Sequence, residues 1–385
     1  MISESGLFME FIDRINSDCA KWDGVTWMFG RSVLPMWIAD MDLPVADCIL
    51  RALEERLKHP VFGYPDHDDS VQHAAAMWLA KRHLWNPAPD ELTLIQGVVP
   101  GLYAAVRAFS EAGSSVLTMP PIYPPFMGAI TDNNRKILPV PLLEEADGRY
   151  IMDFNRLDSA MKEAKLLMFC SPHNPVGRTW SREELQQLTY LANKHSVQIV
   201  SDEIHADLTF DAHPHTPMPM LDDGCIFLGA ASKSFNIAGI GGAVAWVGDP
   251  AKRVRYVSEL SRSRNLGMHT FAKVASKAAW LGGIDWQNSV RSHFMDNAEY
   301  IQTRFSDRLL RVRYRLPDFG YLAWVDLRPF GLSDDEISAK LLEAGLGLSL
   351  GPNFGLEGSG FVRLNFGTPR SLLEKGLDIF EKTFY

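Results

Sequence analysis

The sequence predicts an α/β protein with a mostly parallel central sheet covered by helices, followed by a smaller α+β domain. Between residues 92 and 248, short apolar runs alternate with stretches of helical periodicity, which is the pattern of parallel strands joined by helices. After Gly283 the pattern changes to long helices and a few strands. A chain of 385 residues is long enough to form two such units.

The apolar runs predict six strands of the central sheet, at residues 92–95, 115–119, 165–170, 197–202, 225–228 and 242–247. A helix is predicted between the third and fourth of these strands. Ser181 and Glu184 have the spacing of a capping box there, and Leu185, Leu188 and Leu191 follow at helical spacing.

The smaller unit is predicted from four segments after Gly283: a helix at 290–308, a strand at 321–327, a helix at 334–344 and a strand at 361–366. The first forty or so residues are expected to pack against it. We therefore predict an N-terminal segment, a large α/β domain and a small C-terminal α+β domain, at residues 1–45, 46–285 and 286–385.

Composition excludes several classes of partner. A net charge of −9 argues against nucleic acid or an anionic membrane surface as the main partner. No apolar run is long enough to span a bilayer, and the N-terminus lacks the pattern of a signal peptide. The four cysteines are scattered without a C-x-x-C pair, as is typical of reduced thiols in the cytoplasm. We expect a cytoplasmic protein.

Lys233 is the residue that most clearly suggests chemistry. The apolar run at 226–228 leads into small residues, then Ser232 and Lys233, before a glycine-containing turn. A solvated lysine is protonated and a poor nucleophile, whereas a lysine in an apolar site can lose its proton. Such a lysine can form a Schiff base with a carbonyl cofactor. Alone, the pattern is more typical of a solvated surface lysine, and it is the other motifs along the chain that favour chemistry.

Polar residues also follow the third and fourth predicted strands. Prolines on both sides of Asn174 restrict its loop and could direct the amide at a ligand, although Asn-Pro is also common in turns. Asp202 ends an apolar strand and needs a cationic partner, such as a pyridinium N–H, unless it and Glu203 cap a helix. His205 is either part of this site or a hydrogen-bonded core histidine.

Three further positions suggest ligand contacts. The helix that opens at Val98 and Val99 has free N–H groups that suit a phosphate, although the glycine spacing of nucleotide sites is absent. Tyr123 either stacks on a flat ring or is an ordinary half-buried tyrosine. Arg363, inside an apolar strand, needs a carboxylate, from a substrate or from an internal salt bridge.

A metal site is not expected. His213 and His215 lie close to Asp211, but a proline separates the two histidines and no second group of ligands follows. The segment reads as a loop.

Eight motifs in order cover nearly the whole chain, at residues 21–24, 35–42, 62–64, 97–101, 171–180, 202–205, 232–236 and 363–370. Together they resemble the fold-type I, pyridoxal-phosphate-dependent (PLP-dependent) aminotransferase superfamily. Within it they are most similar to the cystathionine β-lyase branch, the MalY/PatB-like C–S lyases. The resemblance implies the PLP-transferase type I fold and PLP as the cofactor.

The resemblance also implies roles for the residues around the cofactor ring. Lys233 would hold PLP as a Schiff base and then remove the Cα proton of the substrate. Asp202 would pair with the pyridinium nitrogen and keep the ring an electron sink. Asn174 would hydrogen-bond the ring oxygen, with His205 close by, and Tyr123 would stack on the ring.

The remaining implied roles concern the phosphate, the substrate and the partner subunit. The amides of Val98 and Val99, together with Ser232, would cradle the phosphate. Tyr64 would reach it from the other subunit of a homodimer with a shared active site. Arg363 would clamp the α-carboxylate of a small amino acid substrate.

The resemblance implies β-elimination on a cysteine S-conjugate such as cystathionine, which gives thiol, pyruvate and ammonia. Gly241 stands where many aminotransferases carry an arginine to the phosphate, which favours the lyase branch. Two alternatives stay open: a PLP-dependent amino acid aminotransferase, and a regulatory binding protein that retains PLP.

Overall fold

The computed structural model describes residues 11–385. Its α-helices are α1 Ala20–Asp23, α2 Val25–Phe29, α3 Asp47–Leu57, α4 Ser70–His83, α5 Val98–Phe109, α6 Pro124–Thr131, α7 Phe154–Ala160, α8 Arg182–His195, α9 Ala231–Ser234, α10 Pro250–Arg262, α11 Thr270–Gly282, α12 Ile284–Arg308, α13 Asp334–Ala344 and α14 Arg370–Phe384. Its strands are β1 Leu34–Pro35, β2 Leu92–Ile95, β3 Ser115–Thr118, β4 Lys136–Pro139, β5 Leu143–Glu144, β6 Tyr150–Ile151, β7 Ala164–Cys170, β8 Gln198–Asp202, β9 Ile226–Gly229, β10 Ala243–Val247, β11 Arg313–Tyr314, β12 Leu322–Asp326, β13 Leu346–Gly347, β14 Ser349–Leu350 and β15 Phe361–Asn365.

The central sheet has seven strands in the order β2-β10-β9-β8-β7-β3-β4. Strands β9, β8, β7, β3 and β4 pair in parallel, and β10 is antiparallel to both of its neighbours. This confirms the predicted mostly parallel sheet, and all six predicted strands are present to within two residues at each end. The edge strand β4 was missed because only two of its four residues, Ile137 and Leu138, give an uninterrupted apolar signal.

The register of the parallel strands brings three strand ends level with one another. Cys170 at the end of β7 pairs with Asp202 at the end of β8, and Asp202 pairs with Leu228 near the end of β9. The strand β2 runs in the same direction as β9, since β10 is antiparallel to both. The loops that follow β2, β7, β8 and β9 therefore meet at one edge of the sheet, where α/β proteins bind ligands.

The predicted helices form for the expected local reasons. At α8, Ser181 Oγ accepts from Glu184 N at 3.2 Å and the Glu184 carboxylate accepts from Ser181 N at 2.7 Å, which confirms the capping box. The helix α13 begins and ends where predicted. The helix α12 begins six residues earlier than predicted, at Ile284, because Gly283 alone separates it from α11.

A second, antiparallel sheet with the order β11-β12-β15-β14 forms after α12. The N-terminal part of the chain adds a short strand to this half of the molecule, because Leu34 pairs with Leu346 in parallel. Met36 and Met41 are buried in the same apolar core as β12 and β15. The division at residues 45/46 and 285/286 stays a prediction.

No helix within residues 11–385 has the length and apolar character needed to cross a membrane. All four cysteines carry free thiols.

Candidate active site

A cavity of about 260 Å³ opens at the edge of the central sheet where the strand ends are level. It brings together eight of the ten predicted site residues. They are Val98, Val99, Tyr123, Asn174, Asp202, His205, Ser232 and Lys233. Arg363 reaches the cavity through Asn174, and Tyr64 lies elsewhere.

Lys233 lies on α9, the single helical turn that follows β9. Its Nζ donates a 2.7 Å hydrogen bond to the carbonyl oxygen of Ala39. Loss of hydration lowers the pKa of Lys233 to about 8; Arg363 also lowers it, while Asp40 and Asp202 oppose the change. The amine can therefore lose its proton near neutral pH, as a Schiff-base lysine must.

Asp202 is buried at the end of β8 and accepts a hydrogen bond from Ile204 N at 3.1 Å. Burial raises the pKa of its carboxyl to about 7. Within residues 11–385, no lysine, arginine or histidine nitrogen lies within salt-bridge distance of this carboxylate. A buried carboxylate facing a cavity without a cationic partner fits a pyridinium N–H.

His205 is buried on the same loop, and burial lowers its pKa to about 3, so the ring is neutral. In the part of the chain that the structure describes, its Nδ1 has no hydrogen-bond partner. His205 is thus not the hydrogen-bonded core histidine that the sequence also allowed. The centre of its ring lies 5.4 Å from the centre of the Phe319 ring, so the two rings pack against each other beside the cavity.

Arg363 lies on β15 and is buried. Its Nη1 donates to Asn174 Oδ1 at 3.0 Å and its Nη2 donates to Trp37 O at 3.0 Å, while the guanidinium lies 4.7 Å from the centre of the Phe354 ring. Burial lowers its pKa to about 10. Among residues 11–385 no carboxylate lies within 4.0 Å of it, so a ligand carboxylate, rather than an internal salt bridge, fits this guanidinium.

The start of α5 offers free backbone donors to the cavity. Gly97 is its N-cap, with no side chain capping the first turn, so the N–H groups of Val98 and Val99 have no partner within the helix. Gly241 and Gly242 line the same cavity with φ angles of +78° and +90°. Because these angles favour glycine, an arginine at position 241 would strain the backbone.

Tyr123 is the N-cap of α6 and lines the cavity, where burial raises its pKa. Tyr64, by contrast, is fully exposed in the irregular segment between α3 and α4. It borders a separate surface depression together with His67 and His269. The structure of one chain therefore does not bring Tyr64 to its own cavity, and its contribution from another subunit stays a prediction.

Residues 36–42 form a segment, here called the strap, whose part in the site the sequence did not indicate. The carbonyl oxygens of Trp37 and Ala39 accept hydrogen bonds from Arg363 and Lys233. Met41 is held by the side chain of Asn236, three residues after Lys233. In the sequence this stretch stands out only as a motif, because a backbone carbonyl leaves no side-chain signal.

A buried polar network lies behind the site. Glu203 was expected as a possible helix cap, but its carboxylate instead accepts from His215 Nε2 at 2.6 Å and from Ser201 Oγ at 2.8 Å. Asp207 accepts from His83 Nε2 and from Ser234 Oγ, both at 2.7 Å. The two groups of hydrogen bonds, one beside Asp202 and one beside Lys233, meet where the rings of His215 and His83 pack edge to face, with 5.4 Å between their centroids. Asp207 and His83 are buried in the structure. The sequence analysis did not single out either residue.

His215 is therefore hydrogen-bonded to Glu203. The segment around it is a loop, as expected. Residues 11–385 contain no group of three side chains suited to hold a metal ion.

Known proteins similar to this chain share its fold over nearly their whole length. The family model described as aminotransferase class I and II matches residues 33–380. Cystathionine beta-lyase PatB of Bacillus subtilis is 39% identical over 373 residues, which cover 95% of this chain and 96% of that protein. Protein MalY of Escherichia coli is 36% identical over 379 residues, with 96% of each chain covered.

Among solved structures, cystalysin from Treponema denticola, which contains a pyridoxal 5′-phosphate cofactor, matches with a TM-score of 0.94. The identity is 30%, and the match covers 98% of each chain. These similarities confirm the resemblance and the fold that it implied. The chain belongs to the aminotransferase class I and II family.

Proposed function

We propose that this chain is a PLP-dependent carbon–sulfur lyase that carries out β-elimination on cysteine S-conjugates such as cystathionine. The products would be a thiol, pyruvate and ammonia. Support comes from the similar proteins, which include a cystathionine beta-lyase and a PLP-containing cystalysin. The observation that carries the proposal is one cavity that holds both a lysine with a lowered pKa and a buried carboxylate without a cation.

The residues present fit the cofactor. Lys233 is suited to hold its aldehyde carbon, and Asp202 to accept from its ring nitrogen. Asn174 Oδ1 already accepts from Arg363, which leaves Nδ2 free to donate to the ring oxygen. The free amides at the start of α5, with Ser232, suit its phosphate. When bound, PLP supplies an electron sink for the negative charge that develops at the substrate Cα.

The chain's own groups would then do two things during turnover. Arg363 binds the α-carboxylate and so orients the substrate. The amine of Lys233 takes the proton from Cα as a general base. The bond from Cβ to sulfur breaks, and sulfur leaves with its electron pair as a thiolate. The remaining aminoacrylate takes up water and gives pyruvate and ammonia.

A product assay tests the proposal. The holoenzyme is incubated with cystathionine, cystine and alanine, and pyruvate, free thiol and other keto acids are measured. Pyruvate and thiol from the sulfur substrates support the lyase. Conversion of the cofactor to its amine form without thiol release would select an aminotransferase instead. If the protein keeps its cofactor but forms no product from any cysteine conjugate, the result would favour the regulatory binding protein.

We also propose a homodimer with a shared active site, in which Tyr64 of each chain reaches the phosphate bound by the other. The support is that Tyr64 is fully exposed beside two more exposed apolar residues, Val61 and Phe62. In a mixture of Lys233→Ala and Tyr64→Ala chains, each inactive alone, mixed dimers would regain one intact site. Activity should then recover to about one quarter of wild type. No recovery, with mixed dimers demonstrated, would contradict a shared site.

We further propose a cytoplasmic location. The support is that the four thiols are free, as is usual in a reducing compartment. Fractionation of the cells that express the protein would test it.

A further inference from the structure

The strap contacts both cationic groups of the proposed reaction. Trp37 O accepts from Arg363 Nη2 at 3.0 Å, and Ala39 O accepts from Lys233 Nζ at 2.7 Å. Arg363 is the proposed clamp for the substrate carboxylate, and Lys233 is the proposed base. One short stretch of backbone therefore holds the two groups that must act on the same substrate molecule.

Three further carbonyls of the strap accept hydrogen bonds from a single residue on β15. Asn365 N donates to Met36 O at 2.9 Å. The side-chain Nδ2 of Asn365 donates to Asp40 O at 2.6 Å and also to Ile38 O. The two carbonyls that flank Ala39 are thus fixed on one side, and the Ala39 carbonyl is left to face Lys233.

Asn365 is itself rigidly placed. It is buried, and its Oδ1 accepts from Gly367 N at 2.7 Å. Tyr321 OH donates a second hydrogen bond to Ala39 O at 3.1 Å. The far end of the strap is tied down by Asn236, whose Nδ2 donates to Met41 O at 3.0 Å. Neutral donors therefore bind the strap at both ends and in the middle, and the charged side chains of Arg14 and Lys21 also hold it through Asp40 and Asp42.

We propose that Asn365 is a positioning residue for Lys233. By fixing the strap, it sets where the lysine amine is held whenever the amine is not bound to the cofactor. It also sets the separation of that amine from Arg363. An amine with one N–H held by a fixed carbonyl keeps its lone pair in a fixed direction, which general-base catalysis requires. A catalytic role for Asn365 rests on the proposed function of Lys233. The hydrogen bonds that connect Asn365, the strap and Lys233 do not depend on that function.

The test measures the pH dependence with which the Lys233 amine is acetylated by acetic anhydride in the full chain freed of PLP. The extent of reaction is read at that residue by peptide mass spectrometry, and circular dichroism checks that the chain is folded. Wild type should show a midpoint near pH 8. In Asn365→Ala and Asn365→Leu the carbonyls on both sides of Ala39 lose their side-chain donor, so the Ala39 carbonyl is held less firmly and its bond to Lys233, which favours the ammonium form, weakens. The midpoint should then fall by about half a pH unit or more.

Asn297 provides the matched control. It is also a buried asparagine, and its Nδ2 also donates to two backbone carbonyls, those of Phe366 and Thr368, both at 3.0 Å. It makes no bond to the strap. Asn297→Ala and Asn297→Leu should lower the melting temperature in a similar way but shift the Lys233 midpoint much less than the Asn365 variants do, since Asn297 is linked to the strap only through the segment around Gly367.

Tyr321→Phe should shift the acetylation midpoint of Lys233 in the opposite direction. This change removes the competing donor to Ala39 O, so the bond from Lys233 strengthens and the midpoint should rise. Equal midpoints in all folded variants, or equal shifts in the Asn365 and Asn297 variants, would overturn the proposal. Should the Asn365 variants fail to fold, an unchanged midpoint in Tyr321→Phe would overturn it as well. Because the readout needs no turnover, its failure is distinguishable from failure of the proposed lyase activity.

Discussion

Arg363 Nη1 and Asn174 Oδ1 lie 3.0 Å apart and join the C-terminal sheet to a loop of the central sheet. The two residues are 189 positions apart in the sequence. The guanidinium has five N–H groups, of which at most three donate within the protein, to Asn174, Trp37 O and Ser349 Oγ, and the amide keeps its Nδ2. In the proposed function, the geometry of substrate binding and the geometry of cofactor binding would therefore be set together.

Arg363→Lys should raise KM for the amino acid substrate by about 10- to 100-fold. The ammonium lacks the paired N–H groups that bind a carboxylate and Asn174 at once, and charge-assisted hydrogen bonds of this kind contribute about 1.5–3 kcal/mol. Steady-state kinetics with cystathionine would measure the change. The exposed Arg313→Lys on β11 serves as the control and should match wild type. An unchanged KM in Arg363→Lys would show that the carboxylate binds elsewhere.

Lys233→Ala should abolish covalent attachment of the cofactor. Treatment of the wild-type holoenzyme with borohydride reduces the Schiff base and adds the mass of the cofactor to the chain; the variant should show no such increase. Lys273→Ala is a suitable control, since Lys273 is also a partly buried lysine but pairs with Asp68 at 2.6 Å. Covalent attachment that survives in Lys233→Ala would place the Schiff base on another lysine.

Asp202→Asn should stabilise the PLP-free chain in a pH-dependent way. Burial raises the pKa of Asp202 from 3.8 to about 7. Between these values the unfolded chain has lost this proton while the folded chain keeps it, so the free energy of unfolding of wild type falls as pH rises, by at most about 1.4 kcal/mol per pH unit. Asparagine does not titrate, and the advantage of the variant should grow from pH 4 to 7 and then level off.

Urea unfolding of the two PLP-free proteins at pH 5 and pH 8 measures this difference. In the holoenzyme, Asp202→Asn should impair catalysis, because the variant loses the partner of the pyridinium N–H. We expect kcat to fall by about 10²- to 10³-fold. An equal stability difference at both pH values would contradict the raised pKa.

Asp207→Ala should destabilise the protein by about 3–5 kcal/mol. The change leaves three buried donors without an acceptor: His83 Nε2, Trp78 Nε1 and Ser234 Oγ. Chemical denaturation at neutral pH gives the free energy of unfolding. Asp211→Ala provides the comparison, since Asp211 is exposed and pairs only with Arg291 among the residues the structure describes, and it should cost less than about 1 kcal/mol. Similar losses in the two variants would refute the importance of the buried network.

The sequence was enough to predict that the polar residues after the strand ends lie together at one cavity. Asn174, Asp202 and Lys233 each follow a strand of the parallel sheet, and parallel strands bring their carboxyl ends to one edge. A polar residue after an apolar run is therefore both visible in the sequence and correctly placed by topology. The same holds for Arg363, a lone charge within an apolar strand.

The remainder of the site was beyond such reasoning for physical reasons. Trp37 and Ala39 act through backbone carbonyls, which every residue has, so no side-chain pattern marks them. Glu203 looked like a helix cap because its partner His215 is twelve positions away and faces it only after folding. The proposed role of Tyr64 depends on a second chain, and hydrophobic periodicity within one chain carries no information about that.

The side-chain hydrogen bonds from Asn365 to the strap span 325 and 327 positions of sequence. During synthesis the strap therefore leaves the ribosome long before Asn365 does. A nascent chain that ends before β15 carries Lys233 but lacks both Asn365 and Arg363. The order of translation thus leaves the amine without the residues of β15 that bind the strap until this strand has been made, and the proposed site is assembled only after that step.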